Sequence, residues 1–109
     1  EQRELLSSIL MALGYSVNIV SSGEKAIEYL QNTSADLVIL DMIMAPGMDG
    51  LDTYKQILQL HPDQKAIIAS GYSETNRVKE AQRLGAGKFI KKPYTLEKIG
   101  FAIKEELEK

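Results

Sequence analysis

Apolar residues change period several times along the chain, and each change marks an element. Leu5, Leu6, Ile9, Leu10 and Leu13 recur three and four apart, with Arg3, Glu4, Ser7 and Ser8 between them. That spacing predicts a helix, and Gly14 is its stop. Val17 to Val20 predicts a short strand. Ser21 with Glu24 reads as a capping box that opens a second helix, whose inner stripe is Ala26, Ile27 and Leu30. Leu37 to Leu40 is an unbroken apolar run bounded by Asp36 and Asp41, the pattern of a strand buried on both faces. Pro46-Gly47 and Asp49-Gly50 are turn and helix-start chemistry. Leu51, Tyr54, Ile57 and Leu58 carry a third helix, ended by Pro62, and Ala66 to Ala69 is a second buried strand. Ser73 caps a fourth helix with Val78, Ala81 and Leu84 inward and Gly85 as stop. Lys88 to Ile90 is a short strand. Thr95 caps a last helix with Leu96, Ile99, Ala102, Ile103 and Leu107 on its inner side.

Strands that alternate with helices of this length predict the α/β class, an open parallel sheet with helices on both faces. Ligands of such sheets bind at the carboxyl ends of the strands. The 109 residues make one domain, 1–109. The chain has no cysteine and one histidine, His61, so disulfides, thiol catalysis, cysteine–zinc sites and two-histidine metal sites are excluded. His61 itself reads as a surface residue at a helix end. Thirteen Lys and Arg against fifteen Asp and Glu give −2, which leaves no excess of cations to neutralise a nucleic-acid backbone. No apolar run is long enough to span a membrane and no signal peptide is recognisable, so membrane contact is not expected and the cytoplasm is the expected compartment.

Three polar residues fall at strand ends: Asp41, Ser70 and Lys92. Taken singly, each has a plain reading as a turn former, a small strand terminator and a solvated lysine. Taken together they make a carboxylate, a hydroxyl and a cation that converge on one pocket. That set suits phosphoryl chemistry: the carboxylate as nucleophile, the other two as partners for the phosphoryl oxygens.

Leu37-Val-Ile-Leu-Asp41-Met-Ile-Met44, Pro46-Gly-Met-Asp-Gly50, Ile67-Ile-Ala-Ser70-Gly71 and Gly85-Ala-Gly-Lys-Phe-Ile-Lys-Lys92-Pro93-Tyr-Thr-Leu96 resemble the receiver domain of two-component response regulators, over the whole chain. The wording around Ser70 and Lys92 resembles receivers attached to hybrid sensor histidine kinases. The resemblance implies a flavodoxin-like fold of strand order 2-1-3-4-5. It implies that Asp41 accepts a phosphoryl group from a phosphohistidine on a histidine kinase or phosphotransfer domain. Ser70 would hydrogen-bond that group, Lys92 rather than Lys91 would pair with it, and Phe89 would be the aromatic that moves with Ser70. Mg²⁺ would be held by Asp41, the backbone carbonyl of Ile43 and an acidic pair. Self-phosphorylation and autodephosphorylation are implied too, the latter slow because Ile43 and Tyr72 border the path of the attacking water. A homodimer through the last two helices is the implied assembly.

The sequence departs from that family in three ways. Glu1 already reads as part of the first helix, so the family's first strand, with the acidic pair at its end, would fall upstream of Glu1 and is missing. Glu1 does not replace the pair, since it comes several residues later, on the helix and not at a strand end. The sequence therefore reads as N-terminally incomplete and as a weak Mg²⁺ binder. One extra residue separates Asp41 from Pro46, which displaces the Ile43 carbonyl. Phe89 stands where many relatives have Tyr. Two other functions are weighed. A degenerate receiver that binds partners without phosphorylation would not need all three acceptor-side residues. A small flavin or nucleotide binder would want a glycine-rich loop after a strand, and none is present.

Overall fold

Side chains in β1 (Val38–Asp41), β2 (Ala66–Ser70) and β3 (Phe89–Lys91) alternate between two apolar layers, and that alternation sets out the domain. The structure, a computed structural model, describes residues 2–42, 48–70, 76–92 and 95–109, and the side chains of all of these except 2–6 and 96. The three strands are parallel in the order β1-β2-β3, with Asp41 level with Ala69 and Ala69 level with Ile90.

One layer holds Val38, Leu40, Ala66, Ile68 and Phe89 against α2 (Gly23–Asn32), α3 (Gly50–Leu60) and α4 (Asn76–Arg83). Tyr54 and Ile57 of α3 are wholly buried there. The other layer holds Leu37, Ile39, Ile67 and Ile90 against α1 (Gln2–Ala12) and α5 (Leu96–Leu107), through Leu10, Ile99, Ala102 and Ile103. This is the expected α/β sheet covered on both faces. The first helix is described from Gln2 onward, and Glu1, read as part of it, lies outside the described residues. Two helix stops are as read: among the described residues Gly14 and Gly85 have positive φ, +95° and +128°, a conformation that favours glycine.

Three expectations change. The strand over 17–20 is not formed, and β1 has no hydrogen-bonded neighbour beyond β2 among the described residues. A strand persists through the partner that satisfies its backbone groups, and no described strand lies beside 17–20 to supply one. Val17 still packs into the α1–α5 layer, while Ile19 is exposed. Second, Ser22 rather than Ser21 caps α2, its hydroxyl accepting from the Lys25 N–H at 3.2 Å. The capping box with Glu24 is thus not made, because the box partner of Ser22 would be Lys25. Glu24 instead accepts from the Met48 N–H at 3.4 Å. Third, buried Glu106 shares the inner side of α5 with Ile99, Ala102 and Ile103, against Gly87. Asp49 and Thr95 cap α3 and α5 as read. Ser73 lies outside the described residues. His61 closes α3, and its Nε2 lies 2.9 Å from the Leu30 carbonyl near the end of α2, so it joins two helices rather than standing free on the surface.

Candidate functional site

Strand parity decides which residues meet at the carboxyl end of the sheet. Asp41 continues the series Leu37, Ile39 on the α1–α5 side, and Lys92 follows Ile90 by two on that same side. Lys91 has the parity of Phe89 and belongs to the opposite side. Accordingly the Lys92 ammonium pairs with Asp41 Oδ2, across 51 residues of sequence, and Lys91 is exposed. Both members of the pair are part-buried, so their attraction is less screened than that of a surface ion pair.

Ser70 ends β2, the strand between those of the pair, and is buried; it is level with Lys91 and has the parity of Ala66 and Ile68, on the α2–α4 side. Its carbonyl accepts from the Lys92 N–H at 2.7 Å, so the chain segment that carries the cation is fixed to the strand that carries the hydroxyl. Phe89 packs, partly buried, on the α2–α4 layer. Ile43 and Tyr72 lie outside the described residues, as does Glu1.

The floor under Asp41 is the start of α3. The Gly50 N–H donates to the Met42 carbonyl at 3.3 Å. A methyl group on Gly50 would stand 2.8 Å from the Asp41 carbonyl oxygen and 3.2 Å from Met42 Cα. The helix comes this close because residue 50 has no side chain.

The sequence reading passed over Arg77, in the first turn of α4. Its guanidinium grips Asp49 with two hydrogen bonds, of 2.6 and 3.0 Å, and reaches Asp52 at 3.2 Å. Partial burial pushes the Asp49 carboxyl up, but the hydrogen bonds from Arg77 and the Asp52 N–H and the charge of Arg77 outweigh it, so the carboxyl sits below its ordinary value. Two carboxylates three residues apart at one helix start, with an arginine at the start of the next helix, were the available signal.

A divalent cation finds few donors here. Among the described residues no group of three or more His, Cys, Asp or Glu side chains is gathered to hold a metal. Asp41 alone falls short of the near-octahedral oxygen set that Mg²⁺ demands. No helix among the described residues is long and apolar enough to cross a membrane.

Comparison with known proteins gives consistent matches. The family model described as response regulator receiver domain matches residues 1–104. The chain is 33% identical over 102 residues to sensor kinase CckA of Brucella abortus, covering 92% of this chain and 11% of that one. It is 31% identical over 105 residues to sporulation initiation phosphotransferase F of Bacillus subtilis, covering 96% of this chain and 84% of that one. It spans 28% or less of the length of several other curated relatives. Among solved structures, the receiver domain protein (CheY-like) of Methanospirillum hungatei superposes with a TM-score of 0.89 at 26% identity, over 96% of this chain and 83% of that one.

Proposed function

This chain belongs to the response regulator receiver family, as a receiver domain of two-component signalling, and from that premise we propose that Asp41 is its phosphoacceptor. The observation that carries the reading is the Lys92–Asp41 pair at the carboxyl end of the sheet, with Ser70 beside it. A carboxylate oxygen of Asp41 attacks phosphorus of a phosphohistidine on a histidine kinase or phosphotransfer domain. The new P–O bond forms as the P–N bond breaks, and the imidazole leaves. The Lys92 ammonium, already at the carboxylate, offsets the repulsion between it and the incoming phosphoryl oxygens. The Ser70 hydroxyl then donates to a phosphoryl oxygen.

Receivers as a family hold Mg²⁺ at an acidic pocket, where it would neutralise phosphoryl charge. The described donors of this chain do not make up such a set, and no step here runs through the metal. The surface altered by the group would be α4, β3 and α5, where a second copy of the chain would also dock. Phe101, 60% exposed on α5 beneath the Lys88 ammonium, supports an interaction face there.

The test is labelling of the full-length protein by acetyl phosphate with Mg²⁺ present. Wild type should gain one phosphoryl group, and Asp41→Asn none. Label retained in that variant would move the acceptor elsewhere. An unlabelled wild type would favour a partner-binding domain that works without phosphorylation.

A further inference from the structure

The α4 helix is weakly held. It has eight residues, and the core takes only Val78 and Ala81 from it. Elements with so few buried apolar contacts open at low cost. Against that stands Arg77, immediately before Val78. A cation in a helix's first turn opposes the macrodipole, and α4 has no acid in its own first turn to compensate. The charge instead serves the neighbouring helix. Asp49 and Asp52 lie at the start of α3, where negative charge is favoured, and Arg77 binds both, with two-point geometry on Asp49.

The two helix starts joined in this way follow the two strands that bear Asp41 and Ser70. Gly50 packs on the Asp41 backbone, and α4 begins six residues beyond Ser70. The start of α4 is thus close in sequence to Ser70, the residue that would hydrogen-bond a phosphoryl group on Asp41. The Arg77 contacts stand here together with the Lys92–Asp41 pair.

We propose that Arg77 is a latch that holds α4 to the front of α3 in the unphosphorylated state and opposes the switch. It is a positioning residue, acting through helix placement rather than on the phosphoryl group. The proposal rests on Asp41 being the acceptor.

The test uses the full-length protein with Arg77→Gln, Asp49→Asn and both together. Asparagine caps helices about as well as aspartate, so Asp49→Asn weakens the ion pair and spares the cap. Hydrogen exchange of α4 amides is read without phosphorylation, and the rate of labelling by phosphoramidate is read beside it. Arg77→Gln should raise both by about threefold, the factor expected for an exposed ion pair of good geometry. Asp49→Asn should act in the same direction, and the double variant should go no further than Arg77→Gln alone. Arg83→Gln is the control: Arg83 lies on the same helix and, among the described residues, pairs within it, with Glu80, and its loss should leave the labelling rate unchanged.

Unchanged α4 exchange in Arg77→Gln would overturn the latch. Faster exchange with unchanged labelling, or acceleration by Arg83→Gln to the same extent, would overturn its role in the switch. A wild type that takes no label would instead overturn the assignment of Asp41 and with it the link to switching, while the exchange data would still decide the latch.

Discussion

Gly50→Ala tests whether the seating of α3 under Asp41 depends on a missing side chain. The added methyl would lie 2.8 Å from the Asp41 carbonyl oxygen, 3.2 Å from Met42 Cα and 3.2 Å from Met42 Sδ. Favourable contacts between carbon atoms lie at about 3.5–4.0 Å, so the methyl overlaps its neighbours by several tenths of an ångström. The sulfur can swing aside, but the other two atoms are backbone of β1 and the residue after it. Relief therefore requires α3 to back away, at the expense of the Gly50–Met42 hydrogen bond and of Leu51, Tyr54 and Ile57, which are buried behind it. Overpacking of this kind costs about 1–3 kcal/mol. Alanine returns up to about 1 kcal/mol of helix propensity, and less at a first position than in mid-helix. The net is a loss of about 1–2 kcal/mol, or a fall in Tm of roughly 5–10 °C for a domain of this size. The assay is thermal denaturation followed by circular dichroism, with Gly100→Ala as comparison. Among the described residues a methyl on Gly100 would meet the tip of Leu13, at 3.3 Å, and Leu13 is 43% exposed and free to give way. That variant should melt at or above the wild-type temperature. A Gly50→Ala protein that melts as high as Gly100→Ala would refute the claim that the close approach is a tight one.

Lys92→Ala should lower the rate of labelling at least about tenfold through loss of the cation beside Asp41, whereas Lys91→Ala should leave it within about twofold; initial rates with acetyl phosphate decide between them. Tyr54→Phe removes the buried hydroxyl that donates to the Gln64 carbonyl at 3.1 Å and should cost about 1 kcal/mol in urea denaturation. Burial, and behind it the charge of Glu106, raise the Tyr54 pKa, so wild type should lose stability as pH climbs above about 10, the ordinary tyrosine value, and Tyr54→Phe should lose less. Asp49 has a lowered pKa, so its contribution is complete above the unfolded value near 4 and disappears as pH falls through the folded one; at these exposures it amounts to at most about 1 kcal/mol, and Asp49→Asn should flatten that part of the acid limb.

The sheet was legible in the sequence wherever one strand carried its whole signal. Ala66 to Ala69 and Leu37 to Leu40 are short runs apolar on both faces and bounded by polar residues, the pattern of a strand between two helical layers. Period-two reasoning allowed only one of Lys91 and Lys92 to reach the side of Asp41, and the resemblance, with Pro93 after the lysine, named Lys92. Features that depend on a second element were hidden. Val17 to Val20 has strand composition, but a ladder needs a neighbour, and composition does not show one. Ser21 and Ser22 are chemically alike, and only backbone geometry decides which of them caps. Glu106 lies three residues beyond Ile103 on the buried stripe, and a count of apolar positions does not register a charged one. Arg77 looked like one more surface cation, since its partners lie 25 and 28 residues away.

The Lys92–Asp41 pair joins residues 51 apart in the chain, on strands that are not neighbours in the sheet. That separation has a consequence during synthesis. At about 5–20 residues per second, Asp41 leaves the ribosome several seconds before Lys92 does. Throughout that interval the carboxylate lacks its cation, and the Ser70 carbonyl lacks the Lys92 N–H that it later accepts. With Asp41 as the proposed acceptor, the chain becomes a target for a phosphodonor only once β3 docks on β2, so the capacity to take up a phosphoryl group is a late product of folding.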